Sequence, residues 1–379
     1  MAYLPTRDAR DCVPCFGGEN IITRYLPLIF LLLQCCSKDT IVPPELERTP
    51  REYTWVRDTL GDGTYQSTMT GLWGSSSHDV YIVGHASNFG DKKMWHYNGQ
   101  AWEDITFRYF QAFGGQPIYG FTPVGVFGFG PNDVWIVGKR DTSATSNELK
   151  RGFTLRYDGQ TWTGMWLPAA YAHLAIWGTA SNDIWVGGYA GQLVHFNGSS
   201  WQEYFLPDSV FVNHIDGLGI TKVYAEGLSL ANSILRTTYY EWNGVSWSRI
   251  ESQLDTAPPP LIGGVFTFTN GDMLTARNEN VLRRISGGNW QIIFNNPQAH
   301  FGVIKAFGGS NVFAMGDDNN ANELVYHYNG QNWSRITGIN NPGGNVIRAW
   351  TDGKEAFLVA QELSNHGTVW PRTFVLRGK

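Results

Sequence analysis

The side chains able to do chemistry are thinly spread in this sequence, and their spacing excludes several reactions before any fold is considered. Nine histidines occur, none in an H-x-x-x-H or H-E-x-x-H arrangement, so paired imidazoles for a zinc centre are missing. Neither a G-x-S-x-G elbow nor a phosphate-binding loop is present. Asp317-Asp318-Asn319-Asn320 gathers oxygen donors that would suit Ca²⁺ but lacks the spacing and glycine of an EF-hand loop, so a hairpin turn is the expectation. No cofactor or metal is implied. Two other sets of residues remain. Asp216, Lys305 and Arg348 are charges that recur at one offset of an internal repeat, and two cations in a narrow polar setting would attract an anion or carboxylate. A solvated channel with structural ion pairs explains the same residues. Tyr109 and Phe110, with Trp166 and Tyr171 further on, are aromatic rings on connecting segments, where they could stack on a sugar or receive a partner's apolar anchor. They could equally cover a small core of their own.

The elements that must position these residues announce themselves by repetition. Aromatic-Asn/Asp-Gly-x-x-Trp recurs as Tyr97-Asn98-Gly99 with Trp102, Tyr157-Asp158-Gly159 with Trp162, Phe196-Asn197-Gly198 with Trp201, Trp242-Asn243-Gly244 with Trp247, and Tyr328-Asn329-Gly330 with Trp333. Ser286-Gly287-Gly288-Asn289-Trp290 is a degenerate copy. Asn-Gly and Asp-Gly suit the two positive φ angles of a type I′ hairpin turn. Ahead of each ending stands an aromatic, a Gly/Ser turn and an acid-opened apolar strand, as in Trp73-Gly74 followed by Asp79-Val80-Tyr81-Ile82-Val83-Gly84. Each unit thus offers four short strands in about 40–45 residues, the strand count and period of a propeller blade.

Six units are complete and one is split. The chain stops at Phe374-Val375-Leu376-Arg377-Gly378-Lys379 where a Trp-bearing strand is due, and Tyr53-Thr54-Trp55-Val56-Arg57 has the character of that strand. The expected fold is therefore all-β over residues 53–379: a seven-bladed β-propeller of four-stranded antiparallel blades, closed by the N-terminal strand completing the last blade, which removes exposed edges. Aligning the innermost strands on their aromatic places Gly71, Gly125, Ala175, Asp216, Gly264, Lys305 and Arg348 around the channel. The pattern is similar to repeat propellers of secreted bacterial proteins and lacks the signatures of WD40 and kelch repeats. Asp158-Gly159-Gln160-Thr161-Trp162 looks like a shortened Asp-box of sialidase-like propellers, a likeness of shape that implies no enzymology.

All four cysteines, Cys12, Cys15, Cys35 and Cys36, precede this region. Arg24 followed by the apolar run Leu26 to Leu33 has the plan of a secretory signal and is too short to span a bilayer. Leu33-Gln34-Cys35-Cys36-Ser37-Lys38-Asp39 resembles the lipobox of bacterial lipoproteins, which implies lipidation at Cys36 and stable attachment through its acyl chains. A plain signal peptide or a buried N-terminal helix is the alternative. Residues 1–36 read as this signal segment, those before about 21 being expected outside the mature protein, and 37–52 as a polar tether carrying Pro43-Pro44.

A net charge of −5 with only 16% charged residues leaves no electrostatic footprint for nucleic acid. The function expected is a non-catalytic binding or scaffold module, lipid-anchored at the bacterial cell envelope on the outer membrane, with a protein or glycan as partner. The competing reading is a glycan-active hydrolase or lyase with its site at the channel mouth; such an enzyme needs paired acids, and Asp216 is the sole acid the alignment places there.

Overall fold

The computed structural model describes residues 50–60, 66–87, 92–115, 120–140, 151–168, 173–231, 234–250, 266–284, 290–318, 320, 322–339, 344–362 and 372–379. The signal segment with Cys36, the tether up to residue 49, Gly264, Tyr171 and the insertion at 141–150 lie outside them.

Seven four-stranded antiparallel sheets form the fold. Blade 1 runs β2 (Gln66–Ser76), β3 (Asp79–Ser87), β4 (Met94–Tyr97) and β5 (Trp102–Asp104). Blades 2, 3 and 4 open with β6 (Phe121–Gly130), β10 (His173–Ala180) and β14 (Phe211–Gly219), and blades 5, 6 and 7 with β18 (Phe266–Thr269), β22 (Ala299–Ala306) and β26 (Gly344–Thr351). Each opening strand contacts the opening strand of the next blade, and β26 contacts β2, so the ring closes. In the last blade the order is β1-β28-β27-β26, with β27 spanning Ala356–Glu362 and β1 (Trp55–Thr59) antiparallel to β28 (Arg372–Gly378). Trp55 pairs with Gly378 and Thr59 with Phe374, while Arg57 lies 4.1 Å over the Phe374 ring. Asp58 adds a tie to the first blade by accepting from Trp102 Nε1 at 3.1 Å. Attachment extends beyond the strand, since the Arg51 guanidinium donates to the His327 carbonyl at 2.7 Å and to Asn332 Oδ1 at 2.8 Å.

The repeated motifs become joints between blades. The ring of Trp73 on the opening strand of blade 1 lies over Gly128 of blade 2, Trp177 of blade 3 over Gly217 of blade 4, and Trp350 of blade 7 over Gly74 of blade 1. Glycine is required there because a Cβ on Gly128 would stand 2.6 Å from Trp73 Cη2 and 2.9 Å from the Asp133 carbonyl oxygen. Burial of one Trp removes roughly 150–250 Å² from water, a gross gain of about 4–6 kcal/mol. The acid opening the second strand also has a structural task. Asp79 lies 2.7 Å from His96 Nε2, Asp183 2.6 Å from His195 Nε2 and Asp133 3.1 Å from Arg156 Nε, each cation or imidazole stacking on Tyr81, Trp185 or Trp135.

The hairpins differ from the two-residue type I′ turns the Asn-Gly pairs suggest. Tyr97 pairs with Trp102, leaving a four-residue loop in which only Gly99 has positive φ (89°). Asn98 Oδ1 accepts the main-chain N–H of Gln100 and Ala101, each at 3.0 Å, and Tyr97 donates its hydroxyl to the Gly99 carbonyl at 3.0 Å. A side-chain amide that closes the loop itself replaces the second positive φ. Asp318, the last residue of its strand, behaves alike, accepting from Asn320 and Asn322 main-chain N–H as in a hairpin turn.

Candidate functional site

The inner strands surround a channel cavity of about 130 Å³ whose lining includes Gly71, Gly125, Ala175, His214, Lys305 and Arg348. Register explains which side chains reach it. Six opening strands carry a β-bulge at one shared place, between Met69 and Gly71, Pro123 and Gly125, His173 and Ala175, Val212 and His214, Phe301 and Val303, and Val346 and Arg348. A bulge re-aims the residues that follow it. The first residue after the bulge is Gly71, Gly125, Ala175, His214, Val303 or Arg348. Two residues later, Trp73, Phe127, Trp177, Asp216, Lys305 or Trp350 pairs with the aromatic of the second strand.

Arg348 thus occupies the place the sequence alignment gives it. Asp216 and Lys305 do not: each is displaced by two positions and stands where neighbouring blades hold the joint aromatic. The alignment slipped because Leu218 and Phe307 are not the counterparts of Trp73. In blade 5 the same position is Thr267, which pairs with Leu274 and accepts the Ala306 N–H at 3.2 Å. Three successive blades therefore exchange the aromatic for Asp216, Thr267 and Lys305. With only a threonine between them, the Lys305 ammonium and Asp216 carboxylate approach to 3.5 Å across blade 5.

Two residues of this sector carried no sequence signal. His214 follows the bulge in blade 4 and packs edge-on against Phe266 at 4.9 Å. Its Nε2 is buried without a hydrogen-bond partner. Burial, with the charges of Lys305 and Arg348, holds its pKa well below the ordinary histidine value, so the ring is neutral near pH 7. Glu226, directly paired with His214 on the second strand, is 0% exposed. Burial lowers the Arg348 pKa and the Glu226 carboxylate opposes that shift. Arg348 also donates Nη1–H to the Ile347 carbonyl at 2.7 Å, which fixes the guanidinium at the wall. Only knowledge of the bulge register would have drawn His214 and Glu226 out of the sequence.

The aromatic set divides. Residues Phe107–Ala112 form the short helix α1 between blades 1 and 2. Tyr109 is 0% exposed and stacks on Phe121 at 3.7 Å, so it belongs to the insertion's own core and offers no face to a ligand. Phe110 meets Tyr109 and Phe121 edge-on, and Trp166 is half-buried against Phe113 at 4.8 Å. Among the described aromatics of this insertion, Phe107 is the ring most exposed to solvent, at 47%.

No family model matches the sequence, and no curated protein does. Solved structures do match in shape. YCF48 bound to a D1 peptide is similar over 89% of this chain and 99% of its own, with a TM-score of 0.61 and 14% identity. YCF48 from Cyanidioschyzon merolae is similar over 85% and 98%, with a TM-score of 0.57 and 11% identity. The GH74 xyloglucanase from Xanthomonas campestris is similar over 85% of this chain and 55% of its own, with a TM-score of 0.52 and 12% identity. At these identities the likeness is one of fold. The fold is a seven-bladed β-propeller. A protein bound to a peptide and a xyloglucanase both resemble it, so function has to be argued from the side chains.

Proposed function

We propose that this propeller is a non-catalytic binding module that takes a protein partner through an anionic group, a carboxylate above all, at the polar sector of its channel. The observation that carries this reading is the replacement of the joint aromatics by Asp216 and Lys305 beside a wall-fixed Arg348. The Lys305 side of this pair is the more exposed, so an incoming carboxylate can share the ammonium with Asp216 and add Arg348. The peptide held by YCF48 supports a peptide-like ligand for such a ring. The hydrolase alternative asks for two acids free to act on a glycan. Here Asp216 is engaged by Lys305 and Glu226 is shut away from solvent.

The reading extends to an envelope address: Cys36, in its lipobox-like setting, would carry the acyl anchor, with the propeller facing envelope proteins or glycans. The test compares peptides with free and amidated C-termini against the wild-type chain and the Lys305→Ala, Arg348→Ala double variant. Free-acid peptides should bind the parent at least tenfold more tightly, and the double variant should erase that preference. Equal binding of both peptide forms to both proteins would refute the channel site. Loss of fatty-acid labelling in Cys36→Ser tests the anchor separately.

A further inference from the structure

Sevenfold repetition gives this molecule an internal standard, and on the second strands one blade departs from it. On the second strand of six blades an aromatic packs toward the next blade: Tyr81, Trp135, Trp185, Tyr224, Phe313 and Phe357. In blade 5 the counterpart is Leu274, on β19 (Asp272–Arg277). Where that aromatic is missing, between blades 5 and 6, lies a cavity of about 310 Å³. This is within the range of about 300–1,000 Å³ typical of small-ligand sites.

Blade 2 shows what such a space holds when filled. Trp135 donates its indole N–H to Asp133 at 2.9 Å, Arg156 lies 5.1 Å over the indole ring, and the far side meets Phe196 at 5.8 Å and Trp201 at 6.5 Å in blade 3. Every element of that setting recurs around the cavity. Asp272 stands for Asp133, and Arg283, paired with Leu274 as Arg156 is with Trp135, stands for Arg156. Tyr328 and Trp333 of blade 6 stand for Phe196 and Trp201, and all four line the space. Without a ring to close on, Arg283 Nε and Asp272 are 3.9 Å apart, against 3.1 Å for the corresponding pair in blade 2. Both side chains are partly exposed, so the site is open to an incoming group.

We propose that the joint between blades 5 and 6 is a receptor for an indole ring, a tryptophan side chain presented by a partner polypeptide. Asp272 accepts its N–H, Arg283 stacks over one face, and Tyr328 with Trp333 form the opposite wall. A polypeptide source is favoured over a free small molecule because the ring filling each of the other joints arrives on a strand. The mouth also carries Asn270, Gln331 and Asn332, whose amide groups suit the main chain flanking such a ring. The site does not use the channel charges, so the Lys305→Ala, Arg348→Ala variant should bind the indole normally, which separates the two readings.

The experiment titrates the full chain with a doubly capped Gly-Trp-Gly peptide, the Gly-Leu-Gly counterpart, N-acetyltryptophanamide and cellobiose, reading saturation-transfer NMR. Saturable binding of the tryptophan peptide, at least tenfold tighter than the leucine peptide, is expected. Leu274→Trp should fill the space from within and abolish binding. Asp272→Asn, a substitution at the rim, should weaken it about tenfold through loss of a charge-assisted hydrogen bond. N-acetyltryptophanamide binding as tightly as the peptide would overturn the polypeptide source. Equal tryptophan and leucine affinities, unchanged affinity in Asp272→Asn, or cellobiose binding that Leu274→Trp removes while tryptophan never binds would overturn the indole receptor. If Leu274→Trp fails to fold, Asp272→Asn and the peptide comparison still decide.

Discussion

Gly128 and Gly130 lie two residues apart on β6, and the same substitution at each should act with opposite sign. A methyl group at Gly128 would sit 2.6 and 2.7 Å from two atoms of the Trp73 ring and 2.9 Å from the Asp133 carbonyl oxygen. Contacts this short force the indole or the strand to move, an overpacking cost of about 1–3 kcal/mol. Against it stands the reduced entropy of the unfolded chain when glycine becomes alanine, about 0.4–1 kcal/mol in favour of folding. The clash exceeds that gain, so Gly128→Ala should lose stability. At Gly130 the added methyl meets nothing within 4 Å and the backbone lies outside the positive-φ region, so only the entropic gain remains. With an unfolding entropy of about 2.1 cal/mol/K per residue, a ring of this size shifts its melting temperature by about 1.5 °C per kcal/mol. Calorimetry should therefore show Gly128→Ala falling by up to about 4 °C and Gly130→Ala rising by about 1 °C. Gly128→Ala made in a Trp73→Leu background should cost less than it does in the parent, because the obstructing ring is gone. If both alanines moved the transition in the same direction, the ring-on-glycine joint would not be what holds adjacent blades.

Trp55→Ala should cost about 2 kcal/mol, less than the 3–5 typical of a fully buried Trp because this ring is half-buried beside Tyr53 and Gly378. Limited proteolysis should then cut β1 first, and an unchanged melting temperature with unchanged digestion would remove the closing role of that strand. His327 predicts a pH dependence. Burial first, and Arg51 beside it, lower its pKa from 6.5 to about 4. Between those values the unfolded chain takes up a proton that the folded one refuses, so stability falls as pH drops from about 6.5 to about 4, by at most about 1.4 kcal/mol per pH unit. His214 acts in the same direction. Urea midpoints between pH 7.5 and 4.5 should show this slope reduced in His327→Gln; an identical slope would mean that His327 titrates normally in the fold.

Strand count, period and closure were legible in the sequence because each blade repeats the residues that make its joints: Trp-Gly for a ring over a bare backbone, Asp two residues ahead of Tyr or Trp for a tied second strand, Asn-Gly for the loop before the outer Trp. Each is a local chemical requirement and survives divergence elsewhere. Channel residues obey no such requirement. Arg348 could be placed because Trp350 keeps the register in blade 7, whereas Asp216 and Lys305 were displaced by two because blades 4 and 6 lack the ring that marks it. His214 and Glu226 stayed hidden for the same reason, since a bulge leaves no residue type of its own in these strands. Tyr109 shows the opposite difficulty: an aromatic on a connecting segment reads alike whether it faces solvent or, as here, stacks on Phe121.

These failures of the pattern coincide in space, and that coincidence has a physical cause. A ring of identical blades packed through identical aromatics would leave no room for a ligand, since each joint fills the space beside it. Room has to be made by giving up joint aromatics, and blade 5 gives up two. Thr267 on its inner strand lets Asp216 and Lys305 meet across it, while Leu274 on its second strand leaves the 310 Å³ space toward blade 6. Losing two large rings from one blade removes several kcal/mol of gross burial, which the other joints and the shared last blade can bear because the ring is closed. Replacing Thr267 with an aromatic should therefore separate Asp216 from Lys305 as surely as Leu274→Trp fills the second space, and the two sites would then disappear independently from one blade.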